Sequence, residues 1–516
     1  MNKLWSAICH HAMAMPDGAA LQTFDGELQE ALSWKQLKAS AEAMAHRLRE
    51  DAVGVLALQA GNAPTWVLAD IACSLQDIVL LPLPGFFSAQ QVLHALRSLR
   101  IDAVLTDRPA ELAGLCGEQF SPAGELAGLG YLRRNPQWQD GMDNSEQIPP
   151  HTSKITFTSG STGTPKGVCL SAGQMQAVTG SLLDATAGCD IERHLCVLPL
   201  ATLLENIAGV HAPLRRGATV VLAQESALGF NGASGFSLPT FLHALSVCRP
   251  GSMILIPQLL EALVMSCDAG WQLPDTLQFI AVGGATVSPD LLSRAWAHGM
   301  PVYEGYGLSE CGSVVCLNRP DARRNGSLGK VLPHTHVEIV DDEIVVTGPA
   351  YLGYVGERDS WCADAGVRRV ATGDLGRFDD EGYLYYQGRR KNVLVSSFGR
   401  NISPEWVEAE LNAQGEIAAS VVFGDSRPYC VALVAASSPA VSDAALAAAV
   451  ARANARLPAY AQARRWVRLT QPLVRGSGRD DDLVTSNGRP RRAQIFTHFQ
   501  RELEALYAND SYTEAV

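Results

Sequence analysis

Lysine is scarce in this sequence. Of its 41 basic residues only seven are lysine and 34 are arginine, and 53 acidic residues outweigh them to give a formal charge of −12. A chain this acidic, with a pI near 5.5, is excluded as a general nucleic-acid binder, because phosphate neutralisation needs a net basic face. Long apolar runs are missing too: no stretch reaches the roughly 18 residues that suggest a membrane-spanning helix, and no membrane span is expected. The opening Met1-Asn2-Lys3-Leu4-Trp5-Ser6 leads to His10 and His11 and not to an apolar core, so no secretory leader is expected. Twelve cysteines run from Cys9 to Cys430 without one C-x-x-C pair, which fits neither a zinc ribbon nor a compact disulfide framework. Reduced thiols and a cytoplasmic location are the expectation.

What is present is apolar mass. The 516 residues are 47% hydrophobic, too many for one compact unit and enough for a large domain with a smaller partner. Helical periodicity over Ala41–Arg49 precedes a buried strand at Val53–Leu58, and Val79–Pro84 and Ala103–Thr106 flank a helix at Gln90–Leu99. That alternation predicts a parallel sheet covered by helices. It recurs with strands at Leu195–Pro199, Thr219–Ala223, Ser252–Ile256 and Gln278–Val282, predicting a second α/β layer. Between Gly326 and Tyr386 short strands (His336–Val340, Glu343–Thr347, Tyr383–Tyr386) predict a small β unit. Beyond it Val421–Phe423, Val431–Ala435 and a helix at Asp443–Arg456 predict a small α+β domain.

The strongest local signal is the loop Phe157-Thr158-Ser159-Gly160-Ser161-Thr162-Gly163-Thr164-Pro165-Lys166-Gly167-Val168 after a β-like Ile155–Phe157. Glycines let backbone N–H groups crowd an anion, hydroxyls add donors, and Lys166 adds charge, so the loop reads as a phosphate cradle. It is not the nucleotide P-loop G-x-x-x-x-G-K-[ST], since Gly167 follows the lysine and the glycine spacing differs.

This loop resembles the signature of the adenylate-forming superfamily, the acyl-CoA synthetases and their relatives, and further motifs follow in the same order over nearly the whole chain. The resemblance implies a large N-terminal domain of two α/β subdomains and a small β barrel, residues 1–388. A smaller mobile C-terminal α+β domain, residues 389–516, would follow, hinged at Lys391. Tyr303-Glu304-Gly305-Tyr306-Gly307-Leu308-Ser309-Glu310 is similar to the second motif. By that likeness Tyr306 stacks on adenine, Gly307 belongs to the nucleotide site, Ser309 meets the α-phosphate, and Glu310 holds Mg²⁺, a hard cation that takes oxygen ligands. Gly283-Gly284-Ala285 resembles the strand end beneath the adenine, where a Cβ would obstruct the ring. Thr372-Gly373-Asp374-Leu375 with Gly388-Arg389-Arg390-Lys391 resembles the ribose and hinge motifs, Asp374 accepting from the ribose hydroxyls and Arg389 adding a charged contact. In Ser396–Glu405, Gly399 is expected to line the thiol tunnel, and Ser403 and Pro404 to start a helix.

Two departures stand out. In Leu198-Pro199-Leu200-Ala201-Thr202-Leu203-Leu204-Glu205-Asn206, Thr202 stands where many acyl-CoA synthetases carry an aromatic residue or histidine in the acyl wall. Thr485-Ser486-Asn487-Gly488-Arg489-Pro490 places Arg489 where the adenylation lysine stands in relatives. The acyl pocket is expected at Thr202 and Gly209, and its wall Ile207–Leu214 is small and apolar. Glu205 is expected as an exposed carboxylate at a helix start, leaving no partner for a substrate ammonium.

The resemblance therefore implies ATP- and Mg²⁺-dependent activation of an apolar, fatty-type acid to an acyl adenylate, with Lys166, Glu310 and Arg489 as the catalytic charges. Transfer to a thiol follows, either CoA or the phosphopantetheine of a separate acyl-carrier protein. Lactone closure on the same fold and a degenerate non-catalytic nucleotide binder are the alternatives.

Overall fold

The computed structural model describes residues 2–138, 143–158, 165–231, 235–284, 287–362, 367–397, 401–470, 483–484 and 490–507. Two large sheets carry most of the chain. The first runs, edge to edge, Lys330–Val331, Cys316–Leu317, Val302–Tyr306, Phe279–Val282, Ser252–Leu255, Arg193–Cys196, Thr219–Ala223, Ala19–Phe24 and Leu28–Ser33. Its six inner strands, Val302–Tyr306 through Ala19–Phe24, are parallel. Their carboxyl ends therefore share one edge, the usual place for a ligand crevice in such a sheet. The second sheet has eight strands, and Lys154–Thr158, Val79–Pro82, Val55–Gln59 and Ala103–Thr106 form its parallel centre.

Local chemistry explains the covering helices. The expected helix at Ala41–Arg49 extends over Trp34–Glu50, because Ser33 and Gln36 close a capping box at its start. It buries Trp34, Leu37, Ala41, Met44, Ala45 and Leu48, a single face at three- and four-residue spacing. That stripe joins a core containing Trp66, Leu56 and Leu214, so both sheets share one apolar body. The strand expected at Leu195–Pro199 is Arg193–Cys196. The chain leaves the ladder where Leu198 N–H donates to the Glu205 carboxylate at 3.1 Å, and Pro199 has no N–H to offer.

An antiparallel sheet of His336–Val340, Glu343–Pro349, Val367–Phe378 and Leu384–Arg389 forms a partial barrel. After it come the three strands Ile417–Phe423, Cys430–Ala436 and Ala463–Arg468 with helices Pro404–Asn412 and Asp443–Asn454. Ser403 caps the first of these helices by accepting from Trp406 N–H, and Pro404 occupies its first turn. All twelve cysteines are unpaired, and no helix among the described residues is long and apolar enough to cross a membrane.

Candidate active site

A cavity of about 1140 Å³ opens along the carboxyl edge of the nine-stranded sheet and continues down its face. It exceeds the roughly 300–1,000 Å³ of a single small-molecule pocket, so it has room for two reactants side by side. Thr158, Lys166, Gly283, Gly284, Tyr306, Gly307, Ser309, Glu310, Arg389, Lys391 and Thr202 all line it. These residues come from segments up to 233 positions apart, and the sheet edge is what brings them together.

The mouth is built by strand ends. Strand Phe279–Val282 delivers Gly283 and Gly284, and its neighbour Val302–Tyr306 delivers Tyr306. Gly284 has φ +85° with nothing within 4 Å of an added Cβ, and a Cβ at Gly283 would come within 3.3 Å of the Gly305 carbonyl. Beside them Gly307 passes so close to Ser313 that a Cβ would collide with its carbonyl. The result is a floor of bare backbone on which a flat ring can rest.

Three groups converge on Asp374, which is 3% exposed. Tyr306 Oη donates to its Oδ2 at 2.7 Å, and Arg389 Nε lies 2.8 Å from Oδ1. The backbone N–H of Asp374 donates to Thr372 Oγ1 at 3.1 Å. Burial and the Asp374 charge push the Tyr306 phenol upward, so it stays a donor. Burial works against the Arg389 charge, yet the carboxylate beside it holds its pKa above the usual value. Burial and then Arg389 lower the Lys391 ammonium.

Glu310 sits in a tight turn, Ser309–Cys311, closed by Gly312 at φ +74°. Its backbone carbonyl accepts from Gln174 Nε2 (3.0 Å) and Tyr351 N–H (2.6 Å), and its Oε1 accepts from Tyr354 Oη at 2.9 Å. One oxygen is thus fixed in direction by the phenol, and the group is aimed into the cavity. Lys166 ends on the same tyrosine: its Nζ is 5.0 Å from the Tyr354 ring centre and 2.8 Å from Glu357 Oε1. Tyr354 and Glu357 carry no motif signal in the sequence; the pairing of Gly353–Tyr354 with strand Lys166–Leu170 brings them here. Ser159, Gly160, Ser161, Thr162, Gly163, Ala285, Gly399 and Arg489 lie outside the described residues.

Below the mouth the walls turn apolar, with Leu182, Leu183, Ile191, Ala208, Pro213 and Phe279 prominent. Two expectations are corrected here. Glu205 is not an exposed helix-start carboxylate: it is 0% exposed and begins a wide π-helical turn, Glu205–His211. Its Oε1 lies 3.0 Å from His194 Nε2 and its Oε2 accepts from Leu198 N–H. Gly209 is not on the cavity surface either. It is buried one layer behind, where a Cβ would strike the Glu205 carboxylate and His194, so its small size serves the Glu205–His194 pair. Thr202 does line the chamber, as does Ala208 six residues further on. The lining carboxylates are Glu310 and, exposed, Glu225; neither lies in the apolar depth.

Bare strand ends, a buried aspartate behind an aromatic lid and an apolar chamber below them define a ligase-like α/β architecture with a nucleotide-sized mouth. The AMP-binding enzyme model matches residues 9–356 and the AMP-binding enzyme C-terminal domain matches 391–511. The chain belongs to the AMP-binding enzyme family. It is similar to a 2-succinylbenzoate–CoA ligase of Bacillus velezensis, 30% identical over 399 residues that cover 72% of this chain and 75% of the relative. It also resembles a long-chain-fatty-acid–CoA ligase 6 of Rattus norvegicus, 25% identical over 474 residues, 75% of this chain and 65% of that one. Its fold matches the o-succinylbenzoate coenzyme A synthetase of Bacillus subtilis solved with ATP and magnesium ion, with a TM-score of 0.69, 22% identity, and coverage of 95% of this chain and 98% of that one. The protein is an AMP-forming acid–thiol ligase that works through an acyl adenylate.

Proposed function

We propose that the protein activates an apolar-bodied carboxylic acid with ATP and Mg²⁺ and passes the acyl group to CoA. The observation that supports this most is the cavity joining the glycine floor to a chamber whose depth, among the described residues, holds no carboxylate. An amino acid's ammonium would find no partner there, because Glu205 spends both oxygens on His194 and Leu198.

The residues fit the cofactors. Tyr306 and the Gly283–Gly284 floor sandwich adenine; Asp374 accepts from the ribose, with Arg389 beside it; Ser309 and the Thr158–Lys166 loop hold phosphate oxygens. Glu310, steered by Tyr354, supplies a hard oxygen ligand for Mg²⁺. The metal would neutralise phosphate charge, and no general base is needed because the acid is already ionised at neutral pH. Rate enhancement then rests on alignment and on positive charge near the α-phosphorus, to which Lys166 and Arg489 contribute. Lys166 must leave Glu357 to do so. Tyr306 and Arg389 each stand beside one oxygen of Asp374, and a carboxylate has acceptor capacity beyond these two for the ribose hydroxyls. Arg389 stands two residues from Lys391, which makes it responsive to rotation at that hinge. We place the domain boundary at 388/389, with Gly399 lining the thiol path. The fatty-acid class and a carrier-protein acceptor belong to the same proposal as variants of the acid and of the thiol.

Incubating the purified protein with ATP, Mg²⁺, a panel of acids and either CoA or a phosphopantetheinylated carrier, with mass detection of thioester, tests this. Acyl-CoA with AMP is the expected product. Adenylate hydrolysis alone, or an intramolecular lactone, would contradict the thiol step.

A further inference from the structure

The chamber is apolar along its sides but not at its far end. Thr186, His194, Ser252 and Arg216 line it there. His194 and Ser252 face each other in register across neighbouring strands, and Ser252 is level with Phe279. Gly283 stands four residues further along that strand direction, or ~13 Å at the usual rise. The polar end is therefore a molecule's length from the nucleotide mouth.

Arg216 is the notable member. Its Nη1 donates to the Cys189 carbonyl at 2.7 Å, and its Nη2 donates to the Thr186 carbonyl at 2.9 Å and to Thr186 Oγ1 at 2.6 Å. These bonds hold the plane of the guanidinium just past the end of helix Ala172–Ala185, a favourable place for a cation. They use three of five donors. Among the described residues no carboxylate forms an ion pair with it; Asp190 acts on it only over a longer distance, and burial lowers its pKa. A helix end can be capped by an arginine whose head lies in water. Here Arg216 is half-buried between the chamber, which it lines, and a surface groove that it shares with Asp190 and Glu192.

We propose that the acid carries a second carboxylate at its far end, and that Arg216, held in place by Thr186 and Cys189, binds it through its remaining Nε and Nη1 hydrogens. The substrate class is then an α,ω-dicarboxylic or similarly terminated acid with an apolar middle. This inference rests on reading the chamber as the acid site. The guanidinium complements a carboxylate in charge and keeps hydrogens to donate, and the apolar walls between the two ends set the spacing of the carboxylates. One carboxylate meets the nucleotide at the mouth while the other stays anchored, so the bond-forming step is unaltered.

The test is pyrophosphate release from ATP by the full chain with plain alkanoic acids and α,ω-diacids of matched length. The diacid of the right length is expected to exceed its plain counterpart in kcat/KM by about tenfold or more, as for sites built around a polar substrate group. Arg216→Met should erase that preference by lowering the diacid value, and Arg216→Lys should keep part of it; a cooperative thermal melt of each variant checks the fold. Plain acids equal to or better than diacids across the series with the wild-type protein would overturn the proposal while leaving acid activation standing. Pyrophosphate release with no acid of either kind would overturn both.

Discussion

At the residue scale, Glu310 and Asp374 concentrate the chemistry that the cavity implies. Glu310→Ala and Asp374→Ala are each expected to lower pyrophosphate release by about 10²–10³, the effect of losing one oriented electrostatic contact, roughly 3–4 kcal/mol. Near-wild-type rates in a stopped assay would remove that residue from the site. Glu304 makes a different prediction. It is buried, it accepts a long hydrogen bond from Val287 N–H at 3.4 Å, and burial pushes its carboxyl up to about 8. Between the unfolded carboxyl value near 4.5 and about 8 the folded state holds a proton that the unfolded chain releases. Stability therefore falls as pH rises through that window, by at most about 1.4 kcal/mol per unit. Glu304→Gln should flatten this slope in melts recorded from pH 5 to pH 9; an unchanged slope would show that Glu304 is ionised in the fold.

At the element scale, the proposed hinge lies in the segment from Gly388 to Pro404. Gly388 has φ +130°, and a Cβ there would come within 2.7 Å of Ser403, the cap of helix Pro404–Asn412. The strand that carries Arg389 to Asp374 thus abuts the first helix of the small domain. Lys391→Pro is expected to leave one half-reaction and suppress the other, because proline fixes φ and removes a donor. Assaying adenylation and thiol transfer separately checks this; no effect on either would dismiss the hinge. Strands such as Thr219–Ala223 and His336–Val340 were legible to the residue from short β-branched runs bounded by turns. The motif residues around the mouth were legible through their resemblance to family motifs, although Tyr306, Asp374 and Arg389 sit on strands and not on turns. Glu205 and Arg216 were not. Their meaning comes from His194, Thr186 and Cys189, 11 to 30 positions away, and no periodicity records such pairings. A carboxylate beginning a helical turn has the same local pattern whether it faces solvent or a buried histidine.

At the scale of the whole molecule, a large body supplies the floor of the cavity and the chamber, and the small domain adds its charges from one side. Few described ties cross between them. Arg456 Nη2 lies 3.1 Å from Asp290 Oδ1, and Arg390 Nη2 donates to the Asp341 carbonyl at 2.7 Å. Partly exposed pairs of this kind contribute little, ~0–1 kcal/mol each, whereas the pair of Arg389 with the buried Asp374 is the tie that the proposed rotation about Lys391 would have to loosen. That fits a chain whose two half-reactions call for different groups at one cavity. The adenylate is the claim on which all else depends, and acid-dependent exchange of labelled pyrophosphate into ATP, measured without any thiol, tests it most directly. The account predicts exchange that requires both acid and Mg²⁺, disappears in Glu310→Ala, and yields AMP as the only nucleotide product once a thiol is added. Formation of ADP and phosphate, or exchange that ignores the acid, would contradict it.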